Sequence, residues 1–293
     1  MILRDHIWLL WEWSEDAYLA EDLLARAAAT KVRARAFKPE EFFGLKSETI
    51  VVTPPHLLWD RAGDVFPEAC RIADWAEAAG ALAVNPVRGA RMIHRKDRLH
   101  KLLVESNLPV PQTVVLRNHA DPDELNRACG KYLVLKPALS GGGEGVRIQC
   151  WDYDSLKAEI ASRPTENWLL QEYIEPARIA GRAAWFRVFY LLGDVRVCWW
   201  DHKTHIYELI PCEELERLGF NDLKNLGRKI ASCIPMQFFS AEIAYRANGK
   251  PVVVDYINDP CDLRSKKRIP NGVPEELLDW VFGRIFEAAL RRT

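Results

Sequence analysis

The stretch FFSAEIAYRANGKPVVVDYINDP, residues 238–260, holds two strand-like runs joined at Asn248-Gly249. Asn-Gly is the strongest short hairpin signal, because a two-residue type I′ turn needs positive φ at both positions. Such a turn sets Glu242 directly across from Asp255 on one face of the hairpin. Facing carboxylates repel unless positive charge lies between them. A hard divalent cation would satisfy the pair, since Mg²⁺ takes carboxylate oxygens and bridges to phosphates. A neighbouring Arg or Lys, or exposure of this face to water, would serve as well.

Upstream, YLVLKPALSGGGEGVRI delivers Lys136 from an apolar strand into a loop carrying Gly141, Gly142, Gly143 and Gly145. Glycines let backbone N–H groups approach phosphate oxygens closely. The loop lacks the GK[ST] ending of a P-loop and runs into a strand, which excludes a Walker site. A Gly-rich hairpin tip alone is an ordinary turn. A lysine just before it on an apolar strand needs an anionic partner. The next apolar strand ends in Gln171-Glu172-Tyr173-Ile174-Glu175-Pro176.

The first third of the chain alternates strand-like and helix-like segments. IWLLW, KVRARAF and TIVVTPP read as strands, AYLAEDLLARAAAT and PEACRIADWAEAAGA as helices. That alternation implies a parallel sheet with helices on its faces. It carries no Gly-rich dinucleotide fingerprint. After the helical RKDRLHKLLVESN, a mixed, largely antiparallel region follows: KYLVLKP, GVRIQCW, NWLLQEYI, WFRVFYLL, VRVCWW and the hairpin above, with helices around 154–161, 221–233 and 274–291. The expected fold class is α/β plus α+β, with domains at 1–92 and 93–293.

The composition is that of a globular protein of 293 residues, 48% hydrophobic and 28% charged. Lys plus Arg is 40 against 41 for Asp plus Glu, a balance that argues against nucleic acid as a partner. No run approaches the roughly 18 apolar residues of a membrane span, and the start reads as a buried strand, not a signal peptide. The seven cysteines are scattered without CxxC or zinc spacing, which fits reduced thiols and a cytoplasmic location.

In order and spacing, the segments RKDRLHKLLVESNLPVPQT, VLKPALSGGGEGV, LLQEYIEP, WFRVFYLLGDVRV and EIAYRANGKPVVVDYINDP together resemble the ATP-grasp superfamily. The nearest branch in pattern is the ATP-dependent carboxylate–amine ligases, which include ribosomal-protein S6 glutamate ligase and glutathione synthetase. The resemblance covers about residues 93–262. It implies an ATP-grasp fold of two α+β subdomains after an N-terminal parallel α/β domain, with ATP and Mg²⁺ (or Mn²⁺) as cofactors. By the same resemblance Lys136 contacts phosphate and the adenine edge, and the Gly141–Gly145 loop closes over the β- and γ-phosphates. Glu172 and Ile174 bind adenine through backbone groups, and Glu175 holds the ribose. Arg187 neutralises the transferred phosphoryl group, with Lys203 a looser second cation. Glu242, Asp255 and Asn258 ligate the metal. Arg264 meets a substrate carboxylate or acyl phosphate.

Three positions depart from the pattern. Arg98, after Asp97, stands where the superfamily has its first lysine, and a guanidinium is bulkier and forked. Asn258 lies three residues after Asp255, so in a regular strand it faces the other way unless a bulge or the strand end re-aims it; Asp259 is a competing oxygen ligand. Trp185 replaces the acid commonly found before the arginine. The implied function is amide or peptide bond formation through an acyl phosphate, releasing ADP and phosphate, from small-molecule or peptide carboxylate and amine substrates. The alternatives are an ATP-grasp kinase acting on a hydroxyl and a non-catalytic Mg-ATP-binding protein. A homodimer is the base-rate oligomeric state.

Overall fold

A computed structural model of the chain describes residues 4–45, 53–117, 122–163 and 166–293. In chain order its elements begin with β1 (Ile7–Leu10), α1 (Ala17–Thr30), β2 (Ala34–Phe37), α2 (Pro39–Leu45), β3 (Leu57–Asp60), α3 (Pro67–Ala78), β4 (Leu82–Val84) and α4 (Val87–Ile93). They continue with α5 (Lys96–Glu105), β5 (Thr113–Leu116), α6 (Pro122–Ala128), β6 (Tyr132–Pro137), β7 (Arg147–Cys150), α7 (Tyr153–Ala161), β8 (Trp168–Glu172), β9 (Arg178–Ile179) and β10 (Arg182–Ala183). The last are β11 (Trp185–Leu191), β12 (Asp194–Trp200), β13 (Tyr207–Leu209), α8 (Cys212–Arg217), α9 (Asn221–Cys233), β14 (Phe238–Tyr245), β15 (Pro251–Asn258) and α10 (Glu275–Leu290).

The chain forms two compact units. One comprises Met1–Arg91, Trp185–Glu242 and Ile257–Thr293; the other comprises Met92–Ala184 and Ile243–Tyr256. The division passes through β14 and β15, which close a five-stranded sheet of order β13-β12-β11-β14-β15.

The first unit opens with a parallel sheet of order β2-β1-β3-β4. All four residues of β1 and of β3 are buried, as strands covered on both faces require. The Ala-rich α1 buries Leu19, Ala20, Leu23 and Ala27 on one stripe and ends on Lys31 in the left-handed region. Pro67 starts α3 at a position where its missing N–H has no intrahelical partner to lose. Trp8, Leu10, Phe37, Phe42 and Leu58 form one apolar cluster with α3. Trp59 instead meets Phe282 of α10 edge-on at 5.9 Å.

The second unit is built on an antiparallel sheet of order β5-β8-β6-β7. Leu116, Leu135, Trp151, Leu156, Trp168 and Leu170 make its core. A buried polar chain runs beside it. Gln171 Nε2 donates to the Tyr256 hydroxyl at 2.6 Å, and that hydroxyl in turn meets His100 Nδ1 at 2.6 Å. Burial holds the His100 pKa below its ordinary value, which favours its neutral ring.

Two local expectations change. The strand expected in TIVVTPP falls partly on residues 49–52, outside the described residues. Its described end, Thr53–Pro55, lies in no sheet, and β3, Leu57–Asp60, follows just beyond the double proline. A strand cannot use proline as a ladder donor, so pairing starts after it. The hairpin turn also differs. The Arg246 N–H donates to Lys250 O, and the Gly249 N–H to Arg246 O, each at 2.9 Å. Gly249 is left-handed at φ +74°, while Asn248 is not. The loop therefore has three residues, the Gly-bulge alternative to a type I′ turn. Arg246 stands opposite Lys250, one position away from the pairing of a two-residue turn, so the turn itself does not set Glu242 across from Asp255.

Candidate active site

In the second unit, Lys136 sits near the end of β6, half-buried, where the strand feeds the glycine loop. Its Nζ donates to Val254 O at 3.3 Å, next to Asp255 on β15. Asp255 is half-buried, and no described hydrogen bond engages its carboxylate.

A second cation converges there. Lys96 opens α5, and its N–H donates to Ala138 O at 2.9 Å, tying the helix start to the base of the loop. Its Nζ bonds Ser140 O and lies 3.2 Å from Ser140 Oγ. Burial pulls the Lys96 pKa down, Asp255 pulls it back up, and Lys136 lowers it again. Lys96, Lys136 and Asp255 are thus mutual electrostatic neighbours under the loop. Arg98 is exposed and two residues on; at about 100° per residue it leaves α5 on another side. Sequence reasoning missed Lys96 because the motif was registered on Asp97. The signal was the helix face: Lys96 and Arg98 cannot both point at the same loop.

The loop itself is exposed at Gly141, Gly142 and Gly143. Gly142, Gly143 and Gly145 have φ of +57°, +79° and +72°. Only glycine adopts such a succession without strain, and it leaves backbone N–H groups open to an anion.

Glu172 ends β8 with its side chain committed within this unit. Oε2 accepts from Arg246 at 3.0 Å and Oε1 from the Gln112 N–H at 2.7 Å. Burial alone would raise its pKa; these partners hold it below the ordinary carboxylate value. Ile174 is buried, and Glu175 is exposed beyond it.

In the first unit, alternate residues of β11 place Trp185 and Arg187 toward Glu242 of β14. Arg187 Nη1 donates to Glu242 Oε1 at 2.5 Å and Trp185 Nε1 to Oε2 at 3.0 Å. Arg187 is 7% exposed, with its guanidinium 5.0 Å above the Trp200 ring. The arginine that neutralises Glu242 is therefore the one expected to face phosphate.

Asn258 turns its Nδ2 toward Ser240 O at 3.4 Å, leaving Oδ1 as an acceptor. Asp259 accepts from Asn85 Nδ2 at 2.8 Å and is buried, which raises its pKa to about 7. A carboxyl this close to neutral suits a hard cation less well than Asn258 Oδ1. In this unit the Glu242 carboxylate and the Asn258 amide oxygen are donors of the kind that Mg²⁺ takes. Among the described residues there is no group of three or more His, Cys, Asp and Glu able to hold a metal.

Lys203 is exposed in the turn after β12, where its N–H donates to Asp201 Oδ1 at 2.8 Å. Arg264 forms a forked pair with Asp262, Nε to Oδ1 at 3.0 Å and Nη2 to Oδ2 at 2.7 Å. Of the basic stretch 264–268, Lys267 pairs with Glu275 at 3.0 Å and Arg268 lies over the Tyr18 ring. Burial raises the Cys261 thiol to about 12, which removes it as a nucleophile. His202 stacks on Trp185 and His205 on Trp200.

No family model matches the chain. Over 165 residues, 52% of its length, it is 20% identical to the carbamoyl phosphate synthase large chain of Sulfolobus acidocaldarius. It spans 15% of the length of that relative and of the matching large chain of Sulfurisphaera tokodaii. Solved structures agree with its fold over nearly the whole chain. The RimK domain ATP-grasp protein of Sphaerobacter thermophilus matches with TM-score 0.62 and 21% identity, covering 97% of this chain and 99% of that one. The ATP-grasp ligase PsnB, complexed with minimal precursor, Mg and ADP, matches with TM-score 0.67 and 18% identity, covering 97% and 99%. The D-alanine–D-alanine ligase of Bacillus anthracis, complexed with ATP, matches with TM-score 0.66 and 14% identity, covering 98% and 95%. No helix among the described residues is long and apolar enough to cross a membrane.

Proposed function

We propose that this chain, which has the ATP-grasp fold, is an ATP-dependent ligase that joins a carboxylate to an amine. The observation that carries the reading is the meeting of Lys96, Lys136 and Asp255 beneath a loop with three left-handed glycines. Two cations and a row of open N–H groups suit a polyphosphate, and the carboxylate suits its counter-ion.

In this reading a substrate carboxylate oxygen attacks the γ-phosphorus, ADP leaves, and an acyl phosphate forms. The amine then attacks the acyl carbon, phosphate leaves, and the nitrogen sheds its proton. The protein contributes orientation and charge stabilisation; no covalent nucleophile is needed. Lys96 and Lys136 hold phosphate oxygens, the glycine loop covers them, and Arg187 and Arg264 are the cations for phosphoryl and acyl oxygens. By the sequence resemblance, Asp255, Glu242 and Asn258 would supply oxygen donors for Mg²⁺, which would neutralise phosphate charge. Glu172 serves this site by bracing β8 through Arg246, with Ile174 and Glu175 following as the adenine and ribose segment.

The test is ADP and free phosphate release with Mg-ATP and pooled carboxylates and amines, with Asp255→Asn as control. Equal ADP and phosphate with an amide product, lost in Asp255→Asn, supports the ligase. ADP without phosphate transfers the reading to a kinase. Nucleotide binding without turnover in any mixture transfers it to a binding protein, and wild-type turnover by Asp255→Asn removes the metal assignment.

A further inference from the structure

In the second unit, α5 ends where Asn107 turns left-handed at φ +55°, and the Leu108 N–H closes back on Leu103 O at 3.0 Å. Pro109 and Pro111 then keep the next residues extended, and Pro109 O accepts from the Val253 N–H of β15 at 2.7 Å. Between α5 and this extended stretch runs an open groove of about 700 Å³, lined by His100 and Val104 of the helix and by residues 107–113. Among the described residues that line it there is no aspartate, glutamate, lysine or arginine. Its wall is apolar at Val104, Leu108, Pro109, Val110 and Pro111, and Val104 is 48% exposed.

A buried histidine stands in that wall. His100 is only 8% exposed. Its Nδ1 is taken by the Tyr256 hydroxyl, and its ring stacks on the tyrosine ring at 5.7 Å. Its Nε2 has no hydrogen-bond partner among the described residues, and the atom stays open to solvent. The remaining nitrogen of the ring therefore belongs to the groove. A ring nitrogen this buried is costly to leave unanswered. Burial acts on His100 without a charged neighbour and favours the neutral ring. A charged ligand would find no counter-charge here. A neutral imidazole presents either an N–H or a lone pair at Nε2, according to its tautomer. A hydroxyl answers both, because it donates and accepts.

We propose that the groove between α5 and residues 107–113 binds an uncharged, largely apolar molecule bearing one hydroxyl, which hydrogen-bonds His100 Nε2 and packs on Val104, Pro109 and Val110. Two elements join this groove to the glycine loop. Lys96, His100 and Val104 follow one another at four-residue spacing along one side of α5. Tyr256, which holds His100, is next to Asp255 in β15. A ligand that fixes His100 thereby steadies the helix and the strand that carry Lys96 and Asp255, so Mg-ATP has less left to order when it binds. The ligand is then an activator of nucleotide binding. That coupling rests on the nucleotide site proposed above; occupation of the groove does not.

The test is calorimetric titration of the intact protein, with histidine-ring ¹⁵N NMR, using 4-ethylphenol, ethylbenzene, 4-ethylbenzoate and 4-ethylbenzylammonium. The His100 signals are assigned by their loss in His100→Gln. 4-Ethylphenol is expected to shift them saturably and to bind about fivefold or more tightly than each of the other three, the scale of one neutral hydrogen bond. Val104→Asp, at an exposed position, should melt as before and weaken 4-ethylphenol about fivefold or more. Saturating 4-ethylphenol should tighten Mg-ATP about fivefold, and saturating Mg-ATP should tighten 4-ethylphenol by the same factor. No saturable shift at His100 overturns the site. Ethylbenzene binding as tightly overturns the role of the hydroxyl, and either charged probe binding as tightly overturns the uncharged class. Affinity unmoved by Val104→Asp overturns the placement, and Mg-ATP affinity unmoved by bound 4-ethylphenol overturns the coupling. A protein that binds 4-ethylphenol but no nucleotide would sink the nucleotide reading and leave the groove. Nucleotide binding and amide formation without any shift at His100 would sink the groove and leave the ligase.

Discussion

Arg187 of β11 and Glu242 of β14 are bonded at 2.5 Å, and Trp185 holds the other Glu242 oxygen, so a carboxylate expected to meet a metal is already neutralised within its own sheet. Their side chains are 9% and 17% exposed, so neither charge has ready recourse to water. Removing one partner of such a pair is far more damaging than removing both. Arg187→Met should cost about 3–5 kcal/mol in urea unfolding, and Arg187→Met with Glu242→Gln should recover most of that loss. A double variant no more stable than the single one would show that the pair is not coupled.

Lys96, rather than Arg98, should carry the nucleotide phosphates. Its ammonium reaches Ser140 at the loop and shares the field of Lys136 and Asp255. Lys96→Met should weaken Mg-ATP binding by about tenfold to a hundredfold, the range for a charge-assisted bond. Arg98→Met, at an exposed position, should change it less than threefold, or about 0.6 kcal/mol. Equilibrium dialysis or fluorescence titration separates the two; a larger loss from Arg98 would reverse the assignment.

The glycine loop makes a sharper distinction. Gly145 has φ +72°, and a Cβ there would lie 2.7 Å from Pro137 Cγ. Gly141 has room for a Cβ, and its φ is not in the left-handed region. Gly145→Ala should therefore distort the loop and lower nucleotide affinity at least tenfold, or about 1.4 kcal/mol, whereas Gly141→Ala should fold with an unchanged melting profile. Equal effects from both would mean that the loop's conformation is not what binds phosphate.

Asp60 gives the protein a pH dependence. Complete burial raises its pKa to about 8 despite the Ala62 and Gly63 N–H groups that its Oδ1 accepts. Its Oδ2 is buried without a partner among the described residues. The folded pKa lies above the unfolded value near 3.8, so the folded state binds the extra proton between them. The corresponding stability is fully present below about pH 4 and is lost as pH rises through about 8. Asp60→Asn keeps the Oδ1 acceptor and cannot ionise. Melting at pH 9 should be higher for Asp60→Asn than for the parent, with the two converging near pH 4; parallel curves would place the titration elsewhere.

Most of the secondary structure was legible locally. The Ala-rich run 17–30, the proline that opens α3, the all-apolar IWLL and the lysine-then-glycine order at the end of β6 each declare an element through spacing or backbone chemistry. These are short-range properties, fixed by 3.6-residue and two-residue periods and by which residues tolerate positive φ. The order of those segments was also enough to point to the ATP-grasp fold that the solved structures share.

Partnership was not legible. Nothing near Glu242 in the chain announces Arg187, 55 residues away, and nothing near Asp16 announces Arg61, 45 residues away. Whether Lys96 or Arg98 meets the loop depends on which side of α5 faces β6. Whether Asn248-Gly249 makes a two-residue or a three-residue turn depends on strand pairing that two residues do not control. Charge pairing and burial are set by groups that only the folded chain brings within a few ångströms of one another. The sequence alone therefore determined which elements form and which fold they resemble. The tertiary structure decided which carboxylates are neutralised, which lysine faces the loop, and which polar atoms are left buried and unanswered.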